Sequence, residues 1–254
     1  MKENNFFIGS FCSVWDNITQ QKFGSVTGKD VKVAVIDSGW DRTLKDIRIL
    51  EGKCFCDEND ELKLGESFNY NDVNGHGTAV TSVILQIAPD INILPVKVFG
   101  KCLETSINII EAGIYFAIEN EVNLINLSLG TFLEEALIPL YKACEAAKSK
   151  NITIVASRSN LKEDSYPSIF ENVISVGIGN STYPFDYTYT PDEYVECLAW
   201  GKDRFVNSLK GEHKMLSGTS FATPNITGIC ALLIEKYGKM ELDNLRALLK
   251  EYQK

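Results

Sequence analysis

Five compact apolar runs rich in valine and isoleucine, at 31–36, 91–98, 122–127, 152–156 and 173–178, are separated by longer stretches of helical period. Apolar runs of that length that do not alternate with polar residues mark strands buried on both faces, a property of parallel sheets. The stretches between them predict helices near 76–87, 105–119, 133–149 and 220–237, and an amphipathic one near 241–252. The first of these repeats through Val80, Val83, Ile84 and Ile87. Strand and helix in alternation predict an α/β fold, with a mainly parallel central sheet and helices on both faces. Segments 51–73 and 179–215 are irregular, polar and aromatic, and are expected as surface loops or short antiparallel pieces.

No repeat, low-complexity tract or linker divides the chain, and its 254 residues lie within what one core can organise. The expectation is a single domain over 31–254 preceded by an N-terminal extension over 1–30. With 44% hydrophobic and 23% charged residues the composition is that of a folded globular protein and excludes a disordered chain.

Net charge narrows the partners. A formal charge of −9 argues against a nucleic-acid groove or an anionic membrane surface, both of which reward clustered Lys and Arg. No segment reaches the length of uncharged apolar residues that a membrane span needs. The first twenty residues lack the apolar run of a secretory signal, so a soluble, cytoplasmic protein is expected. Seven cysteines, at 12, 54, 56, 102, 144, 197 and 230, are an odd number without framework spacing, which fits free thiols. Cys54 and Cys56 form a C-x-C pair open to metal or redox chemistry, but no second ligand pair lies nearby and ordinary packing is the simpler reading.

Three short sequences carry candidate chemistry. In VKVAVIDSGW an apolar strand ends at Asp37, at the carboxyl edge where open α/β sheets place their ligands. Alone, such an Asp also suits phosphate-accepting and magnesium-binding folds. In NGHGTAV, His76 stands between two glycines at a helix start, where a backbone or substrate can approach closely. The other histidine, His213, lies in a polar loop and reads as structural. In LSGTSFATPNITG, Ser220 opens a helix whose free N–H groups and positive end favour the negative charge that acyl transfer develops. An isolated serine there would read as a helix cap.

Taken together, D-S-G, G-H-G-T and G-T-S-F-A-T-P stand in the chain order Asp, His, Ser, and the chain resembles the subtilisin-like serine peptidases from about residue 31 to 237. The resemblance implies a subtilisin-like three-layer sandwich. It implies Ser220 as nucleophile, His76 as general base and then acid, and Asp37 as the group that orients the imidazole. VASRSN at 155–160 aligns with the family's V-A-A-A-G-N, which implies Asn160 as side-chain donor to the oxyanion. NLSLG at 126–130 resembles the edge that binds peptide as an added strand, so Ser128, Leu129 and Gly130 are expected to bind substrate, with Ser157 and Arg158 opposite.

Arg158 and Ser159 replace the usual Ala and Gly. Arg158 narrows the pocket for the residue before the scissile bond, points to solvent, or pairs with Glu163 or Asp164; alternatively Glu163 and Asp164 select a basic residue there. The short interval between His76 and Pro89 reads as one helix without the family's calcium loop, leaving Asp46 as a surface acid; no metal or cofactor is expected. The thirty residues ahead of the first strand are too few for a folding-assisting propeptide domain. The expected function is a cytoplasmic serine endopeptidase that processes a dedicated precursor or leader peptide. A transamidating acyl-transfer enzyme and an inactive peptide-binding relative are the alternatives, and an Asp-phosphorylated signalling domain leaves two of the three motifs unexplained.

Overall fold

The computed structural model describes residues 21–56, 64–161, 163–191 and 194–253. Its strands are β1 (Lys32–Asp37), β2 (Lys53–Cys56), β3 (Leu64–Ser67), β4 (Asn92–Lys97), β5 (Leu124–Leu127), β6 (Thr153–Ser157), β7 (Val173–Ile178), β8 (Tyr187–Tyr189), β9 (Cys197–Ala199), β10 (Arg204–Asn207) and β11 (His213–Leu216). The helices are α1 (His76–Ile87), α2 (Ile107–Glu119), α3 (Leu137–Lys148), α4 (Thr219–Tyr237) and α5 (Leu242–Tyr252). Among the described residues nine strands form one sheet in the order β3-β2-β4-β1-β5-β6-β7-β9-β8. Every pair from β2 to β9 in that order is parallel, and β3 and β8 close the two edges antiparallel.

Alternate residues of one strand feed opposite cores, because successive side chains of a strand point to opposite faces. Val33 and Val35 pack with Val80, Val83 and Ile84 of α1 and with α4 and α5. Ala34 and Ile36 pack with Ile110 and Ile114 of α2 and with α3. Helices therefore cover both faces, and β1, served on both, sits deep inside the molecule. Every one of the five expected strands and five expected helices is present, shifted by at most about two residues except that the helix expected over 133–149 opens with a short 3-10 turn, Glu134–Ala136.

The irregular segments contain more order than the expectation allowed. β2 joins β4 in parallel, and β9 joins β7, so both are members of the main sheet. Strands of three or four residues are too short to show a period, and their pairing is decided by tertiary neighbours. The hairpin β10–β11 stands apart from the main sheet. It is held on α1 by the buried Arg204, whose Nη2 donates to Gln86 Oε1 at 3.1 Å and whose guanidinium lies 4.0 Å over Trp200. Burial lowers the Arg204 pKa to about 9, which still leaves it charged at neutral pH.

The folded unit also begins earlier than residue 31. Phe23 is fully buried and stacks on Tyr252 with ring centroids 5.4 Å apart. Glu235 Oε2 accepts the backbone N–H groups of Thr27 at 2.7 Å, Gly28 at 2.5 Å and Lys29 at 3.0 Å, which ties this segment to α4.

α1 and α4 cross in close contact where Gly228 faces Ile87. A Cβ at residue 228 would stand 2.8 Å from Ile87 Cβ, well inside contact distance. Gly228→Ala is therefore expected to lower stability by about 1–3 kcal/mol, the usual cost of overpacking a core. Urea unfolding checks this, and an unchanged midpoint would mean that the two helices part without cost.

Candidate active site

Asp37 is the last residue of β1, fully buried at the carboxyl end of a central parallel strand. Its carboxylate lies 2.8 Å (Oδ1) and 3.0 Å (Oδ2) from His76 Nδ1. A carboxylate only accepts, so Nδ1 carries the proton and Nε2 is left as a proton acceptor facing away. Asp37 Oδ1 also accepts the Ser38 N–H at 2.7 Å, which fixes the carboxylate's own orientation.

His76 reaches Asp37 because the start of α1 lies directly on the turn after β1. A Cβ on Gly77 would fall 2.5 Å from Gly39 O and 2.9 Å from Gly39 N, so a residue with any side chain would push the helix away. Gly77 N–H donates to Ser38 Oγ at 2.8 Å. Asp72 then satisfies the approach to the helix. Its Oδ1 accepts from Asn74 N at 2.9 Å and Gly75 N at 2.8 Å, and its Oδ2 accepts from Thr78 N at 2.9 Å and Thr78 Oγ1 at 2.7 Å. A buried carboxylate at a helix N-terminus is stabilised both by those donors and by the helix dipole. Neither Asp72 nor Ser38 was expected as part of the site; the available signal was an acid four residues ahead of a helix start.

Two opposed effects set the basicity of His76. Burial lowers its pKa, since it disfavours the charged form. The Asp37 charge, the hydrogen bond to Asp37 and the more distant Asp72 charge raise it, and together they hold it above the ordinary 6.5. The Phe221 ring, 5.6 Å from the imidazole between centroids, covers one side.

Ser220 lies in the first turn of α4. Its hydroxyl donates to Ser128 O at 3.2 Å, and Ser128 Oγ returns a bond to Ser220 O at 2.9 Å. Asn126 Nδ2 donates to Ser128 Oγ at 3.0 Å, and Thr227 Oγ1 donates to Asn126 Oδ1 at 2.8 Å, so the end of β5 is fastened to α4. The Ser220 hydroxyl thus bonds to the β5 edge rather than to His76; hydrogen bonds between a serine and the base that activates it are commonly loose before substrate binds. Thr219 N–H donates to Asn160 Oδ1 at 3.0 Å. That bond uses the amide oxygen and leaves the Asn160 NH₂ free to donate beside Ser220.

Beyond β5 the chain continues through Ser128, Leu129 and Gly130 to Thr131, which exchanges backbone bonds of 3.0 and 2.8 Å with Tyr166. Among the described residues the backbone groups of Leu129 and Gly130 enter no backbone hydrogen bond, leaving an open edge. Ser157 and Arg158 close the end of β6. Arg158 is only 5% exposed: Nη2 donates to Asp164 Oδ1 at 2.9 Å, and the guanidinium lies 3.6 Å from the centre of the Tyr194 ring. Of the arrangements the sequence left open, the pairing with Asp164 is the one present. Arg158 lines a cavity of about 380 Å³ together with Ser168, Glu196 and Arg246.

Other expected residues lie elsewhere. Asp46 is not an idle surface acid; it pairs with Arg48, accepting from Nε at 2.7 Å, while Arg48 Nη1 donates to Pro89 O at 2.7 Å and clamps the end of α1. His213 stacks on Phe205 in the β10–β11 hairpin, with centroids 4.9 Å apart. Cys12 lies outside the described residues.

A serine at a helix start, an imidazole bound to a buried carboxylate, and an Asn amide tied to the residue before that serine, gathered at the carboxyl ends of a parallel sheet, are the parts of a serine hydrolase. Comparison with known proteins gives the family. The chain belongs to the subtilase family, whose sequence profile matches residues 28–253. It is 32% identical over 225 residues to an intracellular serine protease of Paenibacillus polymyxa, covering 81% of this chain and 67% of that protein. It is 28% identical to subtilisin DY of Bacillus licheniformis, over 86% of this chain and 82% of the relative. A cold adapted subtilisin-like serine proteinase shares the fold with a TM-score of 0.73 at 24% identity, over 89% of this chain and 83% of the other. An epidermin leader peptide processing serine protease from Staphylococcus aureus does so with a TM-score of 0.72 at 20% identity, over 86% and 68%. The protein is a subtilisin-like serine endopeptidase on a subtilisin-like α/β sandwich.

The raised pKa of His76 sets a pH dependence. Any reaction that needs neutral His76 as its base is expected to show kcat/KM rising with pH through a midpoint above 6.5, with Asp37→Asn moving that midpoint down and cutting the rate. Stability runs the other way: a histidine with a raised folded pKa contributes fully below its unfolded pKa and loses that contribution as pH rises through the folded value. A pH–rate profile on a chromogenic peptide checks the first statement, and a midpoint at or below 6.5 would contradict it.

Proposed function

We propose that Asp37, His76 and Ser220 act as a catalytic triad, with Asn160 and the Ser220 backbone N–H as the oxyanion site. The observation that carries this reading is the Asp37–His76 contact at 2.8 Å, set beside a serine at the N-terminus of α4. His76 Nε2 removes the Ser220 proton as Oγ attacks the peptide carbonyl carbon. The developing oxyanion accepts from the Asn160 NH₂ and the Ser220 N–H, and Asp37 stabilises the imidazolium. The imidazolium then protonates the leaving amine, and an acyl-enzyme remains on Ser220. Water, deprotonated by His76, attacks the ester and restores the serine.

The substrate is a peptide laid as an added strand along Ser128, Leu129 and Gly130, and the open backbone groups of Leu129 and Gly130 suit that mode. Ser157 forms the facing wall of the pocket, and Arg158 stiffens that wall from behind through Asp164 and Tyr194. We place this work in the cytoplasm, on a dedicated precursor or leader peptide. Two relatives are called intracellular, from Paenibacillus polymyxa and Bacillus subtilis, and one structural neighbour is called a leader peptide processing protease. Among the described residues no helix is long and apolar enough to cross a membrane.

Ser220→Ala is expected to abolish turnover of a peptide substrate with the fold intact by circular dichroism. Asn160→Ala is expected to lower kcat by about 10²–10³, the magnitude known for the equivalent donor in a subtilisin. Product masses that gain one water per cut identify hydrolysis. Retained turnover in Ser220→Ala would overturn the assignment.

A further inference from the structure

Away from the cleft, β2 holds two thiols that the peptidase chemistry does not use. Cys54 Sγ and Cys56 Sγ are 3.3 Å apart, and both residues are buried, at 2% and 9% exposure. Residues two apart in a regular strand share a face but stand about 6.5 Å apart, too far for two thiols to touch unaided. The pairing of β2 with β3 shifts register here, two steps along β2 from Cys54 to Cys56 facing three along β3 from Ser67 to Leu64, so the extra residue belongs to β3. Packing of two small apolar side chains explains their burial; it does not explain the direct contact of the two sulfurs.

The pair is also placed in line with the active site. Asp37 is in register with Lys97 across β1 and β4, and Lys97 is in register with Cys54 across β4 and β2. The three side chains therefore form one row on one face, with a buried ammonium in the middle. Lys97 Nζ donates to Asn71 O at 2.7 Å, one residue from the Asp72 that caps α1.

The two thiols differ in a way that divides their roles. A hydrogen bond from Cys56, with help from the Lys97 charge, outweighs burial and lowers the pKa of Cys54. That same hydrogen bond and burial raise Cys56. The lowered Cys54 is the better suited of the two to attack as a thiolate, and the raised Cys56 to keep its proton until it resolves the product.

We propose that Cys54 and Cys56 are a redox modification site, which a peroxide converts reversibly into an intrastrand disulfide that slows the peptidase. The Cys54 thiolate attacks one peroxide oxygen, the O–O bond breaks, and hydroxide leaves and is protonated by solvent, giving a sulfenic acid on Cys54. Cys56 sulfur then attacks Cys54 sulfur, the S–O bond breaks, and hydroxide leaves with the Cys56 proton as water. Two thiols lose two electrons to the peroxide, which ends as two waters. Closing the bond removes the Cys54 charge that the Lys97 charge favours, at the far end of the row that leads to Asp37. The Lys97 charge then bears more strongly on Asp37, which stabilises the His76 imidazolium less, so the acylation of Ser220 slows.

The slowing rests on the peptidase reading above, and the test separates the two. The full chain is treated with hydrogen peroxide, mapped by mass spectrometry, and then labelled with a fluorophosphonate that reports the reactivity of Ser220. The expected result is a peptide containing residues 54–56 that is lighter by two hydrogens, a severalfold fall in labelling rate, and recovery of both with dithiothreitol. Cys102→Ser, which removes an exposed thiol, should respond as the parent does, and Cys54→Ser should show no reversible loss. A 54–56 peptide that stays a dithiol or takes up oxygen instead would overturn the proposal, as would an equal loss of labelling in Cys54→Ser. Absence of Ser220 labelling in the reduced protein would overturn the peptidase reading and with it the proposed slowing, and the mass of the 54–56 peptide would still decide the disulfide.

Discussion

The contact on which the site depends is the seating of the first turn of α1 on the turn that ends β1. Gly77 lies against the Gly39 backbone with no room for a side chain, and that approach brings His76 Nδ1 within 2.8 Å of Asp37. Two buried polar groups hold the seat: Ser38 Oγ accepts from Gly77 N, and Asp72 takes four donors from the turn and helix start. Each replaces a bond to water that burial removed, so the helix end carries no unpaired donor at those positions. The His76 imidazole is thus held to Asp37 through Nδ1 in a geometry fixed by the fold.

A second fastening places the nucleophile. α4 is joined to the end of β5 by the reciprocal bonds between Ser128 and Ser220 and by Thr227 on Asn126, and Asn160 is tied to the same helix through Thr219 N. The end of β5, Ser220 and Asn160 are therefore parts of one hydrogen-bonded body. Asp37, His76, Ser220 and Asn160 come from β1, α1 and α4 and from the loop after β6, elements far apart in sequence. What gathers them is the burial of both faces of β1 and the close crossing of α1 and α4 at Gly228.

Much of this was legible in the sequence, for identifiable reasons. Asp37, His76 and Ser220 were legible through their motifs taken together and in chain order, each at a strand end or helix start with glycine within two residues; singly, each had an ordinary structural reading. The central strands were legible because burial on both faces makes them continuously apolar. β2 and β9 were not, being short strands whose pairing is set by neighbours. Asp72 and Ser38 were not singled out because most of their partners are backbone N–H groups, which leave little mark in the side-chain pattern. Arg158 showed a departure without a direction; burial under Tyr194 and the bond to Asp164 supply it. The contact of Cys54 with Cys56 is set by the folded strand, and the C-x-C spacing alone does not foretell it.

The central claim is that Asp37 holds the His76 Nδ1 proton, and proton NMR of the imidazole tests it most directly. The account predicts a solvent-protected Nδ1 proton far downfield of the amide envelope, present in the parent and in Ser220→Ala and absent from Asp37→Ala. No such resonance in the folded parent, or one that survives in Asp37→Ala, would contradict it.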